Sequence, residues 1–259
     1  MVLLLNTYKI TLEYKGTHYQ GFQIQSSGRT IQGELNNALK LLSKSDDIKS
    51  LGSGRTDAGV HALGQIVRIE IPVNIPVTSL ARALNSHLPL DIRVKSAELC
   101  LSGFHPIYSA KSKEYNYVFS NLDTISPFAQ ELITLFPFDL DIELMKEGCK
   151  LFCGEHDFIN FQCTGTDVET SVRQIFSCDL LHFHSDGHWS EIISDYYVFR
   201  VAGSGFLKQM VRLMMGALWS LGRGKITLSD LQKSLRIPMN NRLGATAPPQ
   251  GLYLREVLY

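Results

Sequence analysis

Asp57 and Arg55 sit in Gly52-Ser53-Gly54-Arg55-Thr56-Asp57-Ala58-Gly59-Val60-His61, where three glycines fall within eight residues. Glycine this dense rules out a helix interior and demands a backbone that turns tightly or lies close to something else. Gln65-Ile66-Val67-Arg68-Ile69-Glu70-Ile71 follows, β-branched residues alternating with charged ones, and predicts a half-buried strand. A lone Asp on a loop at the mouth of a sheet can serve as a functional carboxylate, because a rigid scaffold holds it while the loop exposes it. An Asx-turn is the other reading: Asp57 would then bond the backbone near Gly59 and do nothing more. The string is not a phosphate-binding loop, since no Gly-Lys-Ser/Thr follows the glycines.

A second charge stands in an unusual place. Phe206-Leu207-Lys208-Gln209-Met210-Val211-Arg212-Leu213-Met214-Met215-Gly216-Ala217-Leu218-Trp219 predicts a helix, apolar nearly all round from Met210 onward and therefore buried. Arg212 lies within it. A buried guanidinium keeps its proton and needs a carboxylate or carbonyls to offset its desolvation, unless the side chain snorkels to a nearby surface. Lys113 to Phe119 alternates strictly, so Tyr115, Tyr117 and Phe119 share one face of a strand. Composition alone reads all three as core aromatics. Cys149, Cys153, His156 and Cys163 have zinc chemistry, but their spacing fits no common finger or ribbon, and small buried thiols are expected instead. His182, His184 and His188 read as exposed strand-end histidines, so no metal is expected there either.

The elements that must position these groups follow in order. Tyr8 to Tyr14 alternates as a first strand, and a loop from Lys15 through Gln25 follows, in which Gln23 and Gln25 could be plain surface amides. Thr30 caps a helix carrying Ile31, Leu35, Ala38, Leu39 and Leu42 to about Ser45. Beyond Pro72 and Pro76, Thr78 opens a second helix stopped at Pro89, and Ile92 to Leu99 is a strand. The first hundred residues thus read strand, helix, strand, helix, strand, a split α/β sandwich. Phe104-His105-Pro106 breaks the pattern and places the boundary of two lobes, 1–104 and 105–259. In the second lobe, Asp141 caps a helix through Cys153, and Glu155 to Phe158 reads as a turn. Val172–His184 and Trp189–Val201 form a hairpin about Ser185-Asp186-Gly187-His188. Thr227 and Asp230 make a capping box for a short helix to Leu235, and a last strand runs to Tyr259.

The chain carries 25 basic and 25 acidic residues, which gives no global sign of a nucleic-acid partner. The local distribution differs: Arg200 to Arg242 holds eight basic residues against Asp230 alone. Such a stretch is either a field that phosphates would feel or a solvated helical surface. Met1 to Leu5 is apolar but too short for a secretory signal, and no run approaches the roughly 20 apolar residues of a membrane span. Five cysteines, an odd number, then point to reduced thiols and a cytoplasmic location.

The full string around Asp57 resembles the catalytic loop of the tRNA pseudouridine synthase A family, where Gly-Arg-Thr-Asp-x-Gly-Val-His carries the essential aspartate. Tyr14-x-Gly16-x-x-Tyr19-x-Gly21-Phe22-Gln23-x-Gln25 is similar to that family's loop near its cleft. Lys113-x-Tyr115-x-Tyr117, Phe206-x-x-x-Met210-Val211-Arg212 and Ala247-Pro248-x-x-Gly251-Leu252-x-Leu254 match further motifs, so the resemblance covers Tyr8 to the last strand.

The resemblance implies an α+β fold of two similar ferredoxin-like α/β lobes, their mostly antiparallel sheets joined into one, with a catalytic cleft between them. It implies a homodimer that isomerises uridines 38 to 40 of the tRNA anticodon stem-loop to pseudouridine, without cofactor, metal or membrane. Asp57 would be the nucleophile and Arg212 the group that pairs with and orients it, since a close opposite charge lowers a carboxylate pKa. Arg55 would contact a displaced phosphate or hold the flipped nucleotide open. Tyr115 would stack on the uracil, which must leave its own stack to reach the site. Gln25, on the loop near the cleft, and Lys208, in the basic stretch, would bind the substrate; phosphate contacts position the arm without reading sequence.

Two rivals differ in class. A non-catalytic RNA-binding protein could use the same sheet aromatics, but it would not need Asp57, Arg212 and Tyr115 together. An aspartate-dependent hydrolase would use Asp57 as base, but wants a second acid or a metal cluster that the sequence does not supply near Asp57.

Overall fold

The computed structural model describes residues 5–101, 103–163, 165, 168–187, 190–239 and 241–259. In chain order the first elements are β1 (Asn6–Tyr14), α1 (Ile31–Ser43), β2 (Lys49–Gly52), β3 (His61–Ile71), α2 (Val77–Asn85) and β4 (Ile92–Leu99). They continue with β5 (Ser112–Ser120), β6 (Thr134–Leu135), α3 (Ile142–Phe152), β7 (Gly154–Asp157), β8 (Val172–His184) and β9 (Asp195–Gly203). α4 (Met210–Gly222), α5 (Leu228–Ser234) and β10 (Leu252–Leu258) complete them. The result is a mixed α+β protein whose strands pair mostly antiparallel.

Two compact units divide the chain, one reaching Lys111 and taking back Leu254–Tyr259, the other spanning Ser112–Tyr253. The sequence expectation set the junction at 104/105 and gave the last strand to the second lobe. In the first unit β1 lies between β3 and β4, antiparallel to both, while β2 pairs antiparallel with β3 and β10 lies beside β3. The alternation of β1 sends Tyr8, Ile10, Leu12 and Tyr14 into the core, and α1 buries the stripe Ile31, Leu35, Ala38 and Leu39. Thr30 caps α1 as its position predicts, accepting from Gly33 N–H. Asn85 ends α2 with its side chain on β4: its amide donates to Val94 O (2.9 Å) and its carbonyl accepts from Val94 N–H (2.8 Å).

In the second unit the strand order is β5-β9-β8-β7, with β6 parallel to β5. α4 is the centre of its core. Leu213, Met214, Met215, Ala217 and Leu218 are buried, and Trp219 packs edge-on to Tyr117 and Phe119. Each buried Leu or Met side chain contributes roughly 1.5–3 kcal/mol by leaving water. The caps at Asp141 and Thr227/Asp230 form as their sequence pattern requires.

Several boundaries differ from expectation, each for a local reason. β2 is a strand that its short, unpatterned sequence hid, and β3 begins at His61 and not Gln65 because pairing to β1 extends to Ala62. Helix α4 begins at Met210, not Phe206, since Gln209 takes the left-handed conformation (φ 63°) and breaks the turn before it. Glu155, His156 and Asp157 are no turn: they lie in β7, paired with β8. The hairpin between β8 and β9 is not closed at Asp186-Gly187. His184 pairs with Asp195, and Ser185 N–H donates to Ser194 O (2.7 Å), so the strands close before Asp186-Gly187. His188 and Trp189 lie outside the described residues.

Asn85 supports one prediction. Asn85→Ala leaves the buried Val94 peptide without the partners that its amide supplies, a cost of about 1–3 kcal/mol. Thermal unfolding should shift down by several degrees. An unchanged melting temperature would show that water or β1 satisfies Val94 instead.

Candidate active site

The string around Asp57 is the β2–β3 connection, Ser53 to Val60. Its start is fixed to the sheet, where Ser53 N–H donates to Ile66 O (2.8 Å). Thr56 is buried, and its hydroxyl shares a 2.8 Å hydrogen bond with the Tyr14 hydroxyl at the end of β1. Its carbonyl accepts from Phe22 N–H (3.0 Å). A turn follows in which Val60 N–H donates to Asp57 O (3.1 Å), with Gly59 at φ 77°. With Thr56 pointing inward, the neighbouring Arg55 is exposed and Asp57 is half-exposed. This is how a short loop presents a charge on a fixed backbone.

The loop 15–25 supplies the clamp. Tyr19 O accepts from Gly59 N–H (3.3 Å), and Gly16 N–H donates to His61 Nδ1 (3.0 Å). A Cβ on Gly16 would stand 2.0 Å from Val60 O, and one on Gly21, which sits at φ 98°, would stand 2.6 Å from Thr56 O. Both glycines are therefore required by close approach. The clamp is itself braced: Tyr19 OH donates to Asp91 Oδ1 (2.6 Å), and Arg29 lies 4.9 Å from the Tyr19 ring centre. Burial and the Asp91 carboxylate raise the Tyr19 pKa above its ordinary value, so the phenol keeps the proton it donates. Gln25, expected near the substrate, spends its exposed amide on Gln20 O (2.7 Å) within the same loop.

The remaining predicted residues belong to the second unit. Tyr115 is on the same face as Tyr117 and Phe119, and it is 9% exposed against none for those two. Its ring meets Phe206 edge-on, 5.0 Å between centres. Lys208 is exposed, four residues before Arg212 in the segment that leads into α4. Arg212 is half-buried, and Nε donates to Ala247 O at 2.6 Å. Ala247 N–H donates back to Arg212 O (3.1 Å), so the guanidinium stem is tied to the segment before β10. A backbone carbonyl thus supplies part of what the desolvated cation needs.

Other groups singled out in the sequence are spoken for locally. Among the described residues no group of three or more His, Cys, Asp or Glu is placed to hold a metal ion. His182 and His184 are exposed and share Asp195, each at 3.1 Å, and that carboxylate raises the His184 pKa. None of the five cysteines forms a disulfide. In the basic stretch, Arg200 pairs with Asp179 (3.2 Å) and Arg223 stacks on Phe138 (3.8 Å), while Lys208, Lys225, Lys233, Arg236 and Arg242 lie exposed. No described helix is long and apolar enough to cross a membrane.

Sequence reasoning missed Thr56, whose side chain orients the loop between the two charged residues. The signal was the pair of glycines in the 15–25 loop, which mark where another backbone comes close.

Comparison with known proteins gives one consistent picture. The family described as tRNA pseudouridine synthase matches residues 10–109 and 149–259. A tRNA pseudouridine synthase A of Lacticaseibacillus casei is 38% identical over 97% of this chain and 99% of its own. Proteins of the same name from Bacillus pumilus and Bacillus subtilis are each 39% identical over 97% of this chain and 98% of theirs.

The Tyr14–Thr56 contact is testable by a double-mutant cycle. Tyr14→Phe should cost about 1–3 kcal/mol by stranding the buried Thr56 hydroxyl, and Thr56→Val removes the same bond from the other side. The double variant should cost clearly less than their sum, because both polar groups are then gone. Additive losses in chemical denaturation would mean that the two hydroxyls do not depend on each other.

Proposed function

The chain belongs to the tRNA pseudouridine synthase family, and from that premise we propose that it isomerises uridines 38, 39 and 40 of the tRNA anticodon stem-loop. In that reaction the bond from C1′ to N1 breaks, one from C1′ to C5 forms, C5 gives up its proton and N1 gains one. Asp57 is the nucleophile. The observation that carries this role is the clamp on Thr56, which holds the adjacent carboxylate on a fixed backbone and leaves it half-exposed. Such pre-organisation is what a reacting group requires, since misplacement by about 1 Å can cost roughly a hundredfold in rate.

Arg212 is the partner that pairs with and orients Asp57, through guanidinium nitrogens other than the Nε that serves Ala247. Arg55, exposed two residues before Asp57, contacts a displaced phosphate or keeps the flipped nucleotide out of its stack. Tyr115, which keeps 9% exposure where its face-mates Tyr117 and Phe119 keep none, packs against the uracil. Lys208 and the other exposed cations between Lys208 and Arg242 hold phosphates, and Gln25 lies beside the bound arm. In this reading the two units are ferredoxin-like lobes that share one sheet across a catalytic cleft. The enzyme works as a cytoplasmic homodimer without metal or cofactor.

Asp57→Asn should abolish tritium release from C5-labelled uridine in tRNA and leave tRNA binding nearly intact. Release at the parent rate would remove Asp57 from the chemistry.

Binding should weaken steeply between low and moderate salt, log K falling by about 0.9 per phosphate neutralised on duplex. A flat dependence would take the 200–242 stretch out of the interface.

Arg212 joins the two sets of residues. Asp57→Asn and Arg212→Met should each destabilise the protein if the charges are paired within about 4 Å, because each strands a partner. Together they should destabilise less than their sum. Additive losses would separate Arg212 from Asp57.

A further inference from the structure

His61 is a buried histidine that no step of the proposed reaction uses. It opens β3 at the exit of the Asp57 loop. The β1–β3 ladder ends one residue further in, with Tyr14 opposite Ala62. Past that pair the chain from β1 leaves the sheet. Lys15 N–H donates to Asp91 O (2.9 Å), and Gly16 N–H donates to His61 Nδ1 (3.0 Å). The imidazole thus continues with a side chain what the ladder no longer does with backbone. A nitrogen that accepts carries no proton, so the ring is the tautomer with its hydrogen on Nε2.

The bond closes a circuit around Asp57. Gly16 O accepts from Tyr19 N–H (3.0 Å), Tyr19 O accepts from Gly59 N–H (3.3 Å), and Val60 N–H donates to Asp57 O (3.1 Å). Gly16 lies so near Val60 that a Cβ on it would stand 2.0 Å from Val60 O. The exit side of the Asp57 turn is therefore pressed against a segment that the imidazole ties down. Gly16 is buried, so without that acceptor its N–H would be an unpaired buried donor, and the segment would have to draw back from Val60 to reach water.

We infer that His61 is a positioning residue for the reaction: Nδ1 fixes Gly16 and, through Gly16 and Tyr19, the turn on which Asp57 stands. The inference rests on the reading of Asp57 as the reacting carboxylate. His61 acts here through backbone alone, so its loss alters where the carboxylate stands and not how tRNA is gripped.

The test compares His61→Asn, His61→Leu and Asp57→Asn in full-length protein with C5-tritiated tRNA. Asparagine and leucine share one branched outline, but only asparagine can place an oxygen where Nδ1 stands. His61→Leu should show a kcat about tenfold below that of His61→Asn, both with the parent's tRNA dissociation constant. Amide exchange at Gly16 and Gly59 should be faster in His61→Leu than in His61→Asn, with α2 alike in both. Equal kcat or equal exchange in the two variants would overturn the inference, since a role in packing alone gives that equality. Should His61→Leu not fold, histidine-selective nitrogen-15 spectra of the parent decide: Nδ1 without a proton supports the inference, and Nδ1 with one overturns it. An active Asp57→Asn would instead overturn the reading of the carboxylate, so the two failures are told apart.

Discussion

The hydrogen bond between the Tyr14 and Thr56 hydroxyls is the contact on which the arrangement around Asp57 depends. It links the end of β1 to the middle of the β2–β3 connection, both side chains being nearly inaccessible to water. Inside a protein an unpaired hydroxyl is costly, so the bond fixes more than its own modest net strength suggests. With Thr56 drawn inward and its carbonyl taken by Phe22, the residues on either side must turn outward. One buried threonine therefore decides that Arg55 and Asp57 meet solvent. Its two flanks are closed separately: the 15–25 loop seals the far side, and the Ser53–Gln65–Gly54 network holds the near side.

A parallel constraint acts on α4. Its first residue follows Gln209, a non-glycine in the left-handed region, which costs of order 1 kcal/mol or more and is tolerated because the surrounding packing over-determines it. The helix then enters a core, and every residue of it is buried except Arg212 and Ser220. Because Nε is bound to Ala247 O, the guanidinium plane is set by backbone, and its remaining donors have a fixed direction. A lysine could not reproduce this, since its ammonium is a point charge on a flexible stem.

Most of this fold was legible because its signals are local. Thr30, Asp141 and Thr227 cap helices by the side-chain bonds their types suggest, and β1 and β5 follow from alternation. The failures share a cause, which is that pairing partners distant in sequence decided the outcome. β2 and β7 are four-residue strands that exist because β3 and β8 offer them edges. The connection after His184 is long because His184 pairs with Asp195, although Asp186-Gly187 has the chemistry of a tight turn. At the site, the string around Asp57 marked the charged residues, but Thr56 carries no chemistry of its own. It matters only through a contact that the fold makes.

Under the proposed function, that difference lets a chain with balanced charge present a reactive carboxylate and attract a polyanion. The net field of the protein offers RNA nothing, so the proposal assigns attraction to the local surplus between Lys208 and Arg242, whose exposed cations lie among few acids. Such a surface grips phosphate without regard to sequence. Attraction and chemistry are thus assigned to different physical devices. Cations at the end of solvated side chains can adapt to a bent arm, and mobility costs them little. A carboxylate that must meet one atom cannot be allowed that freedom, and the buried hydroxyls beneath Asp57 take it away.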